Sequence, residues 1–231
     1  MLKRLSRLTL AIAALLLASS PGFTVPFSFH LMQIEQVIGG VNGDMTRQAI
    51  QLRMRFAGQN LVSNTRIRAW DAAGANPVLI VNMATDVPNA AVGDHVLIAS
   101  SNFALPGLTP DFVMTNLIPA AYLPAGKITF EDDGGTVWWS FAWGGAAYTG
   151  TNMGVAGGPG IANDLDGNFN PPFGSVLPST NTLAVRFTGP ATAMSTNNLA
   201  DYALSVGAAV FTNNAGANGT VPVELIGFSV R

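Results

Sequence analysis

The sequence predicts an all-β protein with long irregular loops. Three observations carry this. Apolar residues recur with period two, turn residues punctuate the chain at strand-like intervals, and no heptads or internal repeats appear.

The first predicted strand runs from Leu31 to Ile38, with Met32, Ile34 and Ile38 sharing one face. Gly39 to Asp44 is the connection, rich in Gly and Asn. Gln48 to Arg55 is the clearest strand. Ile50, Leu52 and Met54 point one way, and Gln51, Arg53 and Arg55 point to a solvated face. Arg66 to Trp70 alternates again. Pro77 to Met83 and His95 to Ala99 are short apolar runs, expected to be buried on both faces. Asn102 to Ala121 is irregular, with a short helix expected near Pro110 to Asn116.

Lys127 to Glu131 leads through Asp132-Asp133-Gly134-Gly135 into Thr136 to Trp143, a hairpin whose tip glycines supply positive φ. Tyr148 to Pro178 is rich in Gly, Asn and Pro and has no period, so it reads as a long loop. Thr182 to Thr188 and Val221 to Val230 are late strands, and Asn198 to Leu204 is a second helix candidate.

Ahead of the β region lies an export signal, residues 1–22. Lys3, Arg4 and Arg7 form its basic start, Leu8 to Ala18 its apolar stretch, and Ser19, Ser20 and Gly22 its small-residue end. The apolar stretch is 11 residues long, and a membrane span needs about 17–25. No span is therefore expected once the signal is removed after Gly22. The expected location is secreted, extracellular or in the cell envelope, and the composition suits a bacterial exported protein.

Removal leaves 209 of the 231 residues. The signal holds three of the eleven basic residues and none of the thirteen acidic ones, so the remainder carries a formal −5. A mildly acidic, sparsely charged chain is a poor partner for nucleic acid. There is no Cys, which excludes disulfides, thiolate metal sites and cysteine nucleophiles.

Several motifs, in order, resemble the lamin-tail domain. Gln33-Ile34-Glu35-Gln36-Val37-Ile38-Gly39-Gly40 and then Ala49-Ile50-Gln51-Leu52 resemble its opening "I-x-E-V" strand, Gly-rich loop and "I-E-L" strand. Gln36 stands before the valine and Gln51 replaces the usual Glu. Lys127 to Asp133, Thr136 to Trp139 and Trp143-Gly144 resemble the family's later strand pair and closing "W-G". Thr196 to Tyr202, with Asn213 to Gly216 behind it, resembles the ending of secreted bacterial members. The resemblance spans residues 31–216. It implies an immunoglobulin-like β-sandwich, agreeing with the period-two reading, and no catalytic residues. The domain is set at 30–220, with 221–231 as a C-terminal strand or tail.

The candidate metal site is Asp164, Asp166 and Asn168, alternating oxygen ligands in a turn that suits Ca²⁺. Phe169 stands where an EF-hand needs Gly, and the alternative is an Asx-rich turn that bonds to its own backbone. Beyond calcium, no cofactor is expected. Glu131, Asp132 and Asp133 read as a solvated hairpin tip, because neighbours in a strand face opposite ways. His30 and His95 are the only histidines and lie in no metalloprotease or serine-hydrolase frame. Trp139, Phe141 and Trp143 share a face by parity and read as core, with Trp138 opposite. Arg53, Arg55, Arg66 and Arg68 form a basic stripe only if their strands pair.

The leading expectation is a non-enzymatic extracellular or cell-surface module with a protein or glycan partner. A carbohydrate-binding module is the first alternative and requires an exposed tryptophan among Trp70, Trp138, Trp139 and Trp143. A secreted hydrolase is the second, and requires His95 beside a carboxylate and a nucleophile.

Overall fold

A computed structural model describes residues 29–150, 171–193 and 196–223. The export signal and the calcium turn with Asp164, Asp166 and Asn168 lie outside the described residues. Twelve strands are described, with very little helix. They are β1 (Met32–Ile38), β2 (Ala49–Met54), β3 (Thr65–Trp70), β4 (Val78–Met83), β5 (His95–Ala99), β6 (Phe112–Val113), β7 (Gly126–Asp132), β8 (Val137–Trp143), β9 (Val185–Phe187), β10 (Tyr202–Leu204), β11 (Val210–Thr212) and β12 (Asn218–Thr220). A single α-helical turn, α1 (Asn198–Asp201), precedes β10.

The strands form a six-stranded sheet in the order β10-β9-β1-β2-β5-β6, a four-stranded sheet β4-β3-β7-β8, and the small pair β11-β12. The two larger sheets pack face to face as a β-sandwich. Ile34, Val37, Leu52 and Ile98 meet Ile67, Ile128, Phe130, Trp139, Phe141 and Trp143 in one buried cluster. A second, smaller cluster lies on the other side of the six-stranded sheet. There Ile38, Ala49, Leu97 and Ala99 pack under Phe103, Phe211 and Val221. The β11-β12 pair thus caps one end of a sheet face that a plain sandwich leaves wet.

A bulge in β1 explains how one strand feeds both clusters. Ile34 lies opposite Leu52 and Gln36 opposite Gln51, so Glu35 is the extra residue. Parity is reset there. Val37 follows Met32 and Ile34 into the main core, whereas Ile38 joins the second cluster. The expectation that Met32, Ile34 and Ile38 share a face is corrected accordingly.

A second bulge lies in β8. Phe130 pairs with Trp139 and Glu131 with Val137, which leaves Trp138 unpaired in the ladder. The bulge lets both Trp138 and Trp139 join the main core, contrary to simple alternation. The β7-β8 hairpin itself is as expected, with Gly135 at φ 91° in its tip.

Other expectations change for local reasons. β4 is an edge strand, so Leu79 and Asn82 are exposed rather than buried on both faces. The helix expected at 110–116 gives way to β6, which pairs in parallel with β5. Asp111 starts that strand by accepting the Leu97 N–H at 2.7 Å and donating its own N–H to the Leu97 carbonyl at 2.9 Å. Of the helix expected from Asn198 only one turn forms, capped by the Asn197 side chain, before β10 begins. Residues 221–223 are not in a strand, and Val221 is buried in the second cluster, so the domain extends past 220.

Arg55 is buried, not solvated. Regular pairing ends at Met54, and the following bend turns the guanidinium inward. It lies 5.1 Å from the Trp139 ring centroid and donates to the carbonyls of Ala193 at 2.7 Å and His30 at 3.3 Å. Burial lowers its pKa to about 10.

Among the described residues no helix is long and apolar enough to cross a membrane.

Candidate functional site

The end of the six-stranded sheet that β11-β12 does not cap is a groove of about 780 Å³. Its floor is set by strand register. Gln33 lies opposite Arg53 and Arg53 opposite His95, so three side chains form a row across β1, β2 and β5. Gln36 lies opposite both Gln51 and Arg186, which places a second row beside the first. The bulge adds Glu35 between them.

Glu35 is the hub of this floor and is nearly buried. His95 Nε2 lies 2.9 Å from its Oε2, and Gln51 Nε2 donates to the same oxygen at 2.7 Å. Arg186 Nη2 lies 3.6 Å from Oε1. Gln51 Oε1 accepts from Gln36 at 3.2 Å and from the Thr212 N–H at 2.6 Å, which ties the floor to the β11-β12 cap. Gln36 Nε2 also donates to the Val210 carbonyl at 2.6 Å.

Two positions on the floor are not consumed by this network. Gln33 is 1% exposed and its Nε2 has no hydrogen-bond partner among the described residues. Arg53 has no carboxylate partner among the described residues. It makes a long 3.4 Å contact with the Ala191 carbonyl and lies against Gly93. The wall is different in kind. Leu204, Val206 and Val210 are exposed aliphatic side chains along the groove.

Burial pushes the Glu35 carboxyl upward. Hydrogen bonding and charge from His95, the bond from Gln51 and the charge of Arg186 outweigh it, and the pKa lies below the ordinary 4.5. A depressed carboxylate contributes stability that is present above pH 4.5 and lost as pH falls through the folded value. Melting temperature between about pH 3 and pH 6 is therefore expected to fall more steeply for the wild type than for Glu35→Gln. Parallel curves would show that the folded protein does not favour the charged form.

The other candidates fare differently. Glu131 is fully buried rather than part of a solvated tip. It lies opposite Arg66, accepts from Arg66 Nε at 3.2 Å, and is also bonded by Arg68 and Thr129. Asp132 does belong to the turn, accepting the Thr136 N–H at 2.8 Å. The four arginines form no stripe: Arg53 belongs to one sheet, Arg55 lies in the bend just past its end, and Arg66 and Arg68 belong to the other sheet.

Trp138, Trp139 and Trp143 are buried. Trp70 is half-buried and engaged by its own sheet, with Arg68 and Lys127 at 4.8 and 5.2 Å from its ring centroid. Its Nε1 donates to Thr129 at 2.9 Å. His30 stacks on Trp138 at 4.0 Å, and burial lowers its pKa despite the Asp132 charge.

His95 is beside a carboxylate, as a hydrolase would need. Two hydroxyls line the same groove: Ser205 donates to the Gly207 carbonyl at 3.0 Å and accepts the Ala184 N–H at 3.2 Å, and Thr188 donates to the Asp201 carbonyl at 3.0 Å. Both are thus held by backbone groups. The convergence of Glu35, His95, Arg186 and Gln33 was not read from the sequence. Its signal was the Glu35-Gln36 pair, two polar residues in succession inside an otherwise alternating strand.

Compared with known proteins, the chain matches no family model, no curated protein and no solved structure.

Proposed function

We propose that this protein is an exported, non-enzymatic interaction module of the cell exterior, and that it binds a protein partner through the groove on its six-stranded sheet. The observation that carries the reading is the groove itself. One end of the sheet face is capped by β11-β12, while the other presents a polar floor beside an exposed aliphatic wall. Concave sites that pair apolar walls with a few fixed polar groups are the usual form of a recognition site. The basic, apolar and small-residue order of residues 1–22 supports export. The order of the lamin-tail-like motifs and the two-sheet core support an immunoglobulin-like module of that kind.

A non-enzymatic role is favoured by the engagement of both groove hydroxyls, Ser205 and Thr188, with backbone groups, which leaves neither poised as a nucleophile beside the Glu35-His95 pair. A protein partner is favoured over a glycan because the exposed groove wall is aliphatic and the tryptophans are buried or engaged. The test is selection of a random peptide library on the purified protein. Selected peptides are expected to lose binding to Leu204→Asp and to keep it with Leu79→Asp, on the exposed edge of the other sheet. Peptides that ignore the Leu204 change would remove the groove from the reading.

A further inference from the structure

We infer that the groove recognises a carboxylate on an extended, aliphatic peptide segment, with Arg53 and Gln33 as the groups that take the acid. This rests on the groove being the binding site. The chain as a whole is formally −2, yet the groove carries the guanidiniums of Arg53 and Arg186 against the single carboxylate of Glu35. That carboxylate is already matched by His95, Gln51 and Arg186. Arg53 is left as a cation without an anion among the described residues.

Directly across the strand pair lies Gln33, whose buried Nε2 donor has no partner. A buried amide N–H without an acceptor is costly. Cross-strand neighbours stand about 5 Å apart, so a guanidinium and an amide donor flank one place on the floor. Both are donors and the nearer charge is positive, so the complementary group is an anionic acceptor. Arg matches the planar carboxylate in a two-bond fork.

The wall selects the rest of the ligand. Leu204, Val206 and Val210 offer aliphatic contact, and Phe187, the aromatic residue of the groove, is buried. A sugar ring finds no exposed aromatic face there. Strand β10, beside the groove, is the open edge of the six-stranded sheet, which suits an extended chain that alternates its side chains.

The experiment titrates the purified protein with a fluorescent, end-blocked pentapeptide alternating valine and glutamate. The glutamine counterpart and trigalacturonate run beside it. The acidic peptide is expected to bind about tenfold or more tighter than the glutamine peptide, with affinity falling as salt rises. Arg53→Gln is expected to remove that preference, and Gln33→Leu to weaken binding without lowering the melting temperature. Should Arg53→Gln fail to fold, Arg53→Lys keeps a cation without the fork and is expected to bind between the two.

Equal binding of the two peptides overturns the acid requirement and leaves the groove reading in place. Tighter binding of trigalacturonate overturns the peptide. Failure of both peptides, while library-selected peptides still depend on Leu204, also overturns the acidic class. Library peptides indifferent to Leu204 would instead count against the groove itself.

Discussion

Replacing Trp139 with Ala is expected to destabilise the protein by about 3–5 kcal/mol, the loss of a buried indole plus the cavity it leaves. Trp139 is 0% exposed in the main core. Its ring lies edge-on to Phe187 at 5.7 Å and beside the Arg55 guanidinium. Its Nε1 donates to the Tyr202 hydroxyl at 2.8 Å, and that hydroxyl donates to the Ile34 carbonyl at 2.6 Å. The indole therefore links β8 of one sheet to β10 and β1 of the other. Losing it also strips a partner from a fully buried hydroxyl and leaves the buried Arg55 without its ring, so the upper half of the range is expected. Denaturant unfolding measures this as a shift in midpoint at unchanged slope. Tyr202→Phe isolates the polar part, at about 1–3 kcal/mol for buried groups left unmatched. A Trp139→Ala cost no larger than that of Tyr202→Phe would mean the ring fills no essential space.

The second large effect is at Gly144, the glycine of the Trp143-Gly144 motif. Its φ is 99°, where a side chain is strained, and a Cβ there would lie 2.5 Å from the Ala125 Cβ and 2.8 Å from the Pro124 carbonyl. Its N–H also donates to the Ser175 carbonyl at 3.0 Å, which anchors the returning loop. Gly144→Ala is expected to cost about 2–5 kcal/mol, summing an unfavourable dihedral and an overpacked contact. Gly43 separates the two causes. It has φ 89° with nothing within 4 Å of a built Cβ, so Gly43→Ala should show the dihedral cost alone, about 1–2 kcal/mol. Equal losses at the two glycines would show that the contact with Ala125 relaxes freely.

How legible the fold was depended on whether a strand has one wet face. β3 alternates buried and half-buried residues, and its period is plain in the sequence. The β7-β8 hairpin was equally plain, because its tip requires positive φ and carries glycines. The bulges at Glu35 and Trp138 were not legible, since one extra residue changes which side chains share a face while composition stays the same. Arg55 departs from the alternation because pairing ends one residue earlier, at Met54. The segment after Pro110 is strand rather than helix because its partner is β5, and nothing local announces a parallel pairing.

The groove was least legible of all. Its floor comes from β1, β2, β5 and β9, and its wall from Leu204 to Val210. Glu35, Arg53, His95 and Arg186 are far apart in sequence and meet only through register. The second core hid for a similar reason. Ile38 and Leu97 read as ordinary strand residues until β11-β12 is placed over them.

The bulge in β1 makes the acid hub separable from the register of the cores. A regular strand lends a face every second residue, whereas Gln33, Glu35 and Gln36 all line the groove. Because Ile34 already faces Leu52 and Gln36 already faces Gln51, loss of the single codon for Glu35 would return β1 to regular pairing. Met32, Ile34, Val37 and Ile38 would keep their present sides and both cores their contents. Deleting Glu35 is therefore expected to remove the acid hub of the groove while leaving the register of both cores in place.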